Sequence, residues 1–393
     1  MAFAPHDHDH MQRALELAAR GRGYVEPNPM VGAVIVREGR VLGDGWHRRF
    51  GAPHAEIEAL QAARSGGHDV AGATLYCTLE PCAHHGKTPP CAPALVEAGV
   101  ARVVIATEDP LSRRHAGAKA AGVEHAQGKG THIFARSGVK VEVGLLADEA
   151  VVLNAAFFKL SRTAMPLVTA KWAMSADGRI ASRTGSSRWL SCEQSRRLVH
   201  EVRGLVDAVI VGGGTARRDD PLLTCRDAEK RRTASRVVLC GQRLPSPGSK
   251  LARTAREVPV LLAHVAGTAP CGLEELVALG CEPLPLPSAE GEPGYVCPAA
   301  LLKALGERGA TNVLLEGGAE AFGTFFDRGL VDRVMVFICP LIVGGAQALG
   351  AVGGSGAETV EDAIRIVRPA CAQQVGTDLL IEGWTSDPLQ WKP

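Results

Sequence analysis

His54, Glu56, Cys82 and Cys91 are the residues of this chain whose types and order can do chemistry. One imidazole and two thiolates give a zinc ion three ligands and leave its fourth tetrahedral position open, the arrangement of a catalytic rather than a closed structural site. Zinc lowers the pKa of water at such a position to about 7. A proton must still travel from the water to a departing group, and a carboxylate two residues from a ligand histidine can carry it. The metal set is therefore His54, Cys82 and Cys91, and Glu56 is the proton carrier. Taken singly, each cysteine is more often a small buried hydrophobe than a ligand. The complete order His, Glu, Pro-Cys, Cys makes coincidence a poor account of all four.

Two elements must position these groups. The run His54–Ala63, HAEIEALQAA, is rich in strong helix formers, and Ala73–Thr78, ATLYCT, reads as a short strand. The histidine then stands at a helix start and the first cysteine just past a strand end. An order H-x-E followed by P-C-x-x-C marks the zinc deaminases of cytosine and adenine rings. Here eight residues, Ala83–Pro90, separate the cysteines, and with two histidines, Lys87 and Thr88 they can reach a larger anionic substrate.

The run TLEPCAHHGKTPPC, with Pro27–Val34 (PNPMVGAV) upstream, resembles the deaminase half of the bifunctional riboflavin-biosynthesis deaminase/reductase, the RibD family. The likeness covers nearly the whole chain. It implies an asparagine, Asn28, that contacts the pyrimidine. The family's Asp-Pro-Asn-Pro run is not kept: Asp109-Pro110 leads into Leu111-Ser112-Arg113-Arg114, and an insertion at Arg113–Ala126 precedes Gly128-Lys129-Gly130. Arg113 or Arg114 stands where that missing asparagine would contact substrate, or the arginines are solvated charges.

At 393 residues two domains are expected. Apolar residues at 46%, a net charge of +1 and aromatic residues at 4% describe a soluble protein without the basic grooves and stacking platforms of a nucleic-acid base deaminase. Eleven cysteines without a secretory pattern, no signal peptide and no apolar run of spanning length predict a reducing, cytoplasmic setting. Residues 1–10, with His6, His8 and His10, read as a frayed acidic helix start, and Met11–Arg20 as an amphipathic helix. Alternating turns and apolar runs predict strands at Val31–Val36, Arg40–Gly43, Ala73–Thr78 and Arg102–Thr107, and helices at His54–Ala63 and Ala92–Ala98. This is an α/β sandwich over residues 1–150.

After a linker at Arg162–Pro166 the pattern restarts. Leu167–Met174 is a strand, followed by a turn at Asp177-Gly178 and a second short strand; further strands are expected at Asp207–Val211, Arg236–Cys240, Val258–Ala263, Asn312–Leu315, Arg333–Ile338 and Asp378–Glu382. Helices between them give βαβ layering over residues 166–393. Two strand exits are glycine-rich, Gly212-Gly213-Gly214-Thr215 and Glu316-Gly317-Gly318. Such exits let a pyrophosphate approach backbone N–H groups in the crevice at strand ends. No G-x-G-x-x-G run is present, so this is not the ordinary dinucleotide fold.

Lys171–Arg179, Gly185–Trp189, Thr215–Thr224 and Glu316-Gly317-Gly318 resemble the family's reductase half, which is dihydrofolate-reductase-like. The resemblance implies a cytidine-deaminase-like α/β/α sandwich followed by that α/β domain. It implies NADPH contacts at Ala173, Trp189, Thr215, Asp219, Gly318, Ala319, Glu320, Ala321, Phe322, Gly323 and Thr324, and substrate contacts at Ser187, Arg203, Leu223, Arg226 and Glu316. Arg203 and Arg226 suit a ribose 5-phosphate, because a guanidinium grips phosphate bidentately. The function implied is hydrolytic deamination of a diaminopyrimidinone bearing a ribosylamino 5-phosphate, with Zn2+, followed by NADPH-dependent reduction of the ribosyl to a ribityl chain. A small phosphorylated pyrimidine, no nucleic acid, no membrane and a homo-oligomer are the expected partners. The rival reading, a ligand-binding regulator with a decayed zinc site, is disfavoured by the intact His54, Glu56, Cys82 and Cys91.

Overall fold

Alternation along β1 (Gly32–Arg37) sends Ala33 and Ile35 to one face of a sheet and Val34 and Val36 to the other, and both faces are covered. The computed structural model describes residues 3–85, 87–111, 130–241, 243–267 and 270–393. Its packing divides the chain into two units: Met1–Thr163 with Pro388–Pro393, and Ala164–Asp387. In the first, β2 (Arg40–Trp46), β3 (Thr74–Leu79), β4 (Arg102–Thr107) and β5 (Lys140–Val143) join β1 in the order β2-β1-β3-β4-β5. β1 runs antiparallel to β2 and β3, whereas β3, β4 and β5 are parallel. Helix α1 (Pro5–Ala19) packs Met11, Ala14 and Leu15 on one face against Val34, Tyr76 and Val104. Helices α2 (Ala55–Ser65) and α3 (Cys91–Glu97) bury Ala59, Leu60, Ala63 and Leu95 against Ile35, Leu75 and Val103 on the other. The expected α/β/α sandwich is the observed one.

Two expectations for this unit need correction. β2 does not stop at Gly43 but continues to Trp46. A Cβ on Gly43 would lie 2.4 Å from the Ala59 carbonyl oxygen, and one on Gly45 2.5 Å from Glu58 Cβ. The glycines let α2 lie directly on the strand. The frayed N-terminus is instead helical from Pro5, because Asp7 is buried. Its carboxylate accepts from Tyr76 Oη (2.6 Å) and from Arg102 Nη1 and Nη2 (2.7 and 3.1 Å). It also accepts from the Ala4 N–H at 2.9 Å, which caps the helix start. His10 lies against the Tyr76 ring, centroids 5.1 Å apart. The inserted segment Arg113–Ala126 and Lys129 lie outside the described residues.

The second unit is built on a nine-stranded sheet ordered β10-β9-β8-β7-β13-β6-β14-β16-β15. Its strands are β6 (Leu167–Ser175), β7 (Ala208–Gly212), β8 (Ser235–Leu239), β9 (Val260–Val265), β10 (Glu282–Leu286), β13 (Asn312–Gly317), β14 (Arg333–Cys339), β15 (Val367–Val375) and β16 (Asp378–Trp384), with β11 (Ser288–Ala289) and β12 (Glu292–Val296) forming a separate pair. From β10 to β14 all neighbours are parallel, and β16 and β15 add an antiparallel edge. Parallel strands covered on both faces read as continuous Val/Ile/Leu runs, which is why AVIVG and VLLAHV are legible as strands. Glu282–Leu286 is not, since prolines interrupt it at Pro283 and Pro285. The strand expected after Asp177-Gly178 is only a single bridge, Arg179 to Gly350. Residues 388–391 form a short 3-10 turn that belongs to the first unit, where Trp391 is buried and Lys159 Nζ lies 5.9 Å from its ring centroid. The second compact unit thus ends at Asp387, because the aromatic side chain beyond it has its packing partner in the first unit.

The Asp7 cluster sets a stability test. Its hydrogen bond with Arg102, outweighing the upward push of burial, holds the carboxyl well below the usual carboxylate range. A depressed folded-state pKa gives stability that is present above the unfolded value near 3.9 and is lost as pH falls below it. Asp7→Ala leaves Arg102 and Tyr76 without their partner and should cost about 3 kcal/mol at pH 7. The difference between variant and wild type should shrink as pH drops below about 4. Denaturant unfolding at pH 7 and pH 3 checks both parts; equal differences at the two pH values would refute the assignment.

Candidate functional site

His54 is the N-cap residue of α2 and Glu56 lies in its first turn, while Cys91 opens α3 and Cys82 follows β3. The sheet thus brings two helix starts and a strand exit to one place. His54 Nδ1 lies 3.5 Å from Cys82 Sγ and 3.3 Å from Cys91 Sγ, and the three ligand atoms fall within 4.8 Å of one another. Ligand atoms around a tetrahedral zinc at about 2.0 to 2.3 Å are separated by roughly 3.5 Å, so the donor set fits this ion. His54 Nε2 is 3.3 Å from Thr88 Oγ1, a contact that orients the ring and leaves Nδ1 for the metal. The Cys91 N–H donates to Cys82 Sγ at 3.3 Å. The thiol of Cys91, with His54, pushes Cys82 down to about 4, and the same contact pushes Cys91 well up. One thiolate is therefore already favoured before a cation balances the second.

Glu56 is 3% exposed, and burial, with the negative sulfur of Cys82, raises its carboxyl to about 7. A group poised there exchanges protons at neutral pH. His54, Glu56 and Cys82 line a cavity of about 300 Å³ together with Asn28, His47, Glu80, His84, Lys87 and Asp109. Glu80 accepts from Thr131 N and Oγ1 (3.1 and 3.0 Å) and from Asp109 N (3.3 Å), tying the Pro81-Cys82 turn to the neighbouring segments. Burial raises Asp109 to about 6. Sequence reasoning singled out Asn28 but missed His47, Glu80 and Asp109. Glu80 alone had a signal, its place beside Pro81-Cys82.

In the second unit the exits of β7, β13 and β6 are adjacent and point the same way. Gly317 has φ +61°, and a Cβ there would lie 2.2 Å from the Phe322 ring, so the chain turns tightly into the helix Ala319–Phe326. Thr215 Oγ1 accepts from the Gly318 N–H at 3.1 Å, joining the two glycine-rich exits. Ala319–Thr324 lie on that helix, Ala173 on β6, and Asp219 ends the helix Gly213–Asp219. Trp189 is 70% exposed with Arg196 4.7 Å from its ring centroid, and Ser187 is half-buried two residues before it.

Arg203 has a carboxylate partner within this unit. Its Nε and Nη2 donate to the two carboxylate oxygens of Glu316 at 2.5 and 2.8 Å, and Lys171 Nζ lies 3.1 Å from the same carboxylate. Burial alone would push Glu316 up, but Arg203 and Lys171 outweigh it and hold the carboxyl well below its usual range. The bidentate fork expected to grip phosphate is already engaged by a buried acid. Arg226 is exposed; its Nη1 donates to Thr224 Oγ1 at 3.0 Å and its Nη2 is 3.5 Å from His200 Nε2. Leu223 is buried with φ +55°, which turns the chain so that Arg226 reaches this cluster. Lys171 and His200 were not singled out as site residues.

Residues 5–107 match the family model of the cytidine and deoxycytidylate deaminase zinc-binding region, and residues 166–381 that of the RibD C-terminal domain. The chain is similar to the riboflavin biosynthesis protein RibD of Aquifex aeolicus, 36% identical over 375 residues covering 95% of this chain and 97% of that one. Among solved structures it is similar to a diaminohydroxyphosphoribosylaminopyrimidine deaminase/5-amino-6-(5-phosphoribosylamino)uracil reductase from Thermotoga maritima (TM-score 0.78, 33% identity, 96% of this chain and 98% of that one). It is likewise similar to Acinetobacter baumannii RibD (TM-score 0.79, 32% identity, the same coverages). The two matched domains imply Zn2+ and NADPH as cofactors. With both halves matched and more than nine-tenths of the chain aligned, this chain belongs to the RibD family of bifunctional riboflavin-biosynthesis deaminase/reductases.

Proposed function

We propose that the first unit removes the 2-amino group of 2,5-diamino-6-ribosylamino-4(3H)-pyrimidinone 5′-phosphate as ammonia, and that the second unit reduces the ribosyl of the deaminated product to a ribityl chain. The observation that carries this is the convergence of His54, Cys82 and Cys91 on one point beside the buried Glu56. Zinc held there supplies the Lewis acidity that makes water a nucleophile near neutral pH. Glu56, poised near pH 7, takes a proton from that water and returns one to the leaving nitrogen. His84, Lys87 and Thr88 on the same cavity wall are suited to the ribosyl phosphate.

In the second unit NADPH supplies the reducing equivalents. The exits of β7 and β13 would hold its diphosphate, with Thr215 fixing Gly318 so that backbone N–H groups face the anion. The triad Lys171, Glu316 and Arg203 offers a proton donor and acceptors beside the strand ends, and Arg226 with His200 is the cation suited to the 5-phosphate. A domain arrangement with the deaminase within residues 1–163 and the reductase within 164–387 fits these placements. No helix among the described residues is long and apolar enough to cross a membrane, and we read the enzyme as cytoplasmic. Self-association is supported by the second unit, where β15 is an edge strand. Nearby Val360, Ile364 and Ile366 are 80%, 51% and 40% exposed.

Three outcomes test this reading. Glu56→Gln should keep zinc and reductase activity but lower ammonia release by a factor of about 100 or more, since an amide cannot shuttle a proton. Ammonia and NADPH oxidation, followed separately with elemental analysis for zinc, check it; deamination within tenfold of wild type would give the proton to another group. Arg226→Ala should raise the reductase KM by about tenfold to a hundredfold through loss of a charge-assisted contact. Arg203→Ala should instead reduce stability, because Glu316 loses its bidentate partner. A large KM effect at Arg203 with stability intact would reverse the two roles. Sedimentation equilibrium should give a mass of at least two chains of 41.3 kDa, and a single-chain mass would remove the oligomer.

A further inference from the structure

His47 is 3% exposed, touches both the segment that carries His54 and the turn that carries Asn28, and has no part in the chemistry described so far. Its Nδ1 lies 3.0 Å from the Pro53 carbonyl oxygen. A carbonyl only accepts, so Nδ1 carries the proton and donates. The ring that donates from Nδ1 and faces an amide nitrogen at Nε2 has one N–H, and Nε2 accepts. The atom 3.2 Å from Nε2 is the Asn28 amide nitrogen, which can only donate. The chain of donors and acceptors has one solution, and it removes the freedom of an amide to present either end. Asn28 itself is held by its backbone N–H donating to the Val25 carbonyl oxygen at 3.0 Å. Its Oδ1 has no protein partner among the described residues, and the residue lines the same cavity as Glu56.

We propose that His47 is a positioning residue that locks the Asn28 amide, so that its carbonyl oxygen and its second N–H face the cavity side by side. An acceptor next to a donor in a fixed order complements a lactam edge, the –NH–CO– of a pyrimidinone; the ring nitrogen and exocyclic amine of a cytosine edge present the reverse order and would need the amide turned over. The lock is thus a specificity determinant that selects pyrimidinones. This inference rests on the deaminase reading and deepens it. In this role His47, which also lines the cavity, acts on the substrate through Asn28.

The test is a double-variant cycle on the full-length, zinc-loaded chain. His47→Leu should raise the deamination KM by about tenfold, the equivalent of one good hydrogen bond, with kcat much less affected. Asn28→Ala should do the same, and the double variant should be no worse than Asn28→Ala alone, because the histidine has then nothing left to orient. His47→Gln, whose side-chain oxygen can accept from Asn28, should restore part of the affinity. Additive effects in the double variant, loss of zinc in His47→Leu, or a fall in kcat at unchanged KM would each overturn the lock. Circular dichroism and thermal unfolding of the same samples report whether the first unit, which carries both substitutions, is folded. A second readout needs no turnover: the ring 15N shifts of His47 should show a protonated Nδ1 and an acceptor Nε2, and the opposite tautomer would refute the proposal. If wild type released no ammonia at all, the deaminase reading would fail while the tautomer measurement would still decide the lock.

Discussion

Helix α2 lies directly on strand β2, and the deaminase site depends on that contact. Side chains at Gly43 and Gly45 would hold the helix off the sheet, and with it the ring of His54 and the carboxyl of Glu56. The two cysteines come from a different segment, the turn between β3 and α3, so ligand convergence is a matter of sheet order rather than of sequence proximity. The same closeness explains the electrostatics. Glu56 is buried because the helix start is pressed inward, and burial is what brings its proton affinity into the neutral range.

The second unit solves a different problem with buried charge. Glu316 follows a run of fully buried strand residues, where an unpaired carboxylate would be costly. Two cations from separate elements, Lys171 on β6 and Arg203 at the end of a helix, offset that cost and fix three side chains relative to each other. The glycine-rich exits lie beside them, one flexible backbone stretch tied to the other by Thr215. Rigid charge next to compliant backbone is a reasonable arrangement for holding a nucleotide against a second ligand.

Residue type and order made the zinc set legible, because few other chemistries need a histidine, a carboxylate and two cysteines in that sequence. Parallel strands were legible for a similar reason: both faces are buried, and their residues are uniformly apolar. What stayed hidden were partnerships between distant positions. Asp7 among histidines reads as a solvated terminus until Tyr76 and Arg102 are seen around it. Gly43 and Gly45 give no sign in the sequence of the helix that lies on them. Arg203 gives no sign in the sequence that Glu316, more than a hundred residues on, lies in its fork. His47 carries no local signal at all, since its two hydrogen-bond partners come from a turn far upstream and from a proline carbonyl.

The return of residues 388–391 to the first unit bears on how the chain is made. The socket that receives Trp391, beside Lys159 and the backbone reached by Arg162, belongs to a unit whose other residues end at Thr163. The second unit is synthesised in between. On the ribosome the first unit must therefore wait, its sheet formed but one aromatic plug missing, until everything downstream has emerged. Its completion therefore needs residues made after the entire second unit, and a product cut short before residue 388 would lack Trp391 and expose the surface it covers to chaperones and proteases.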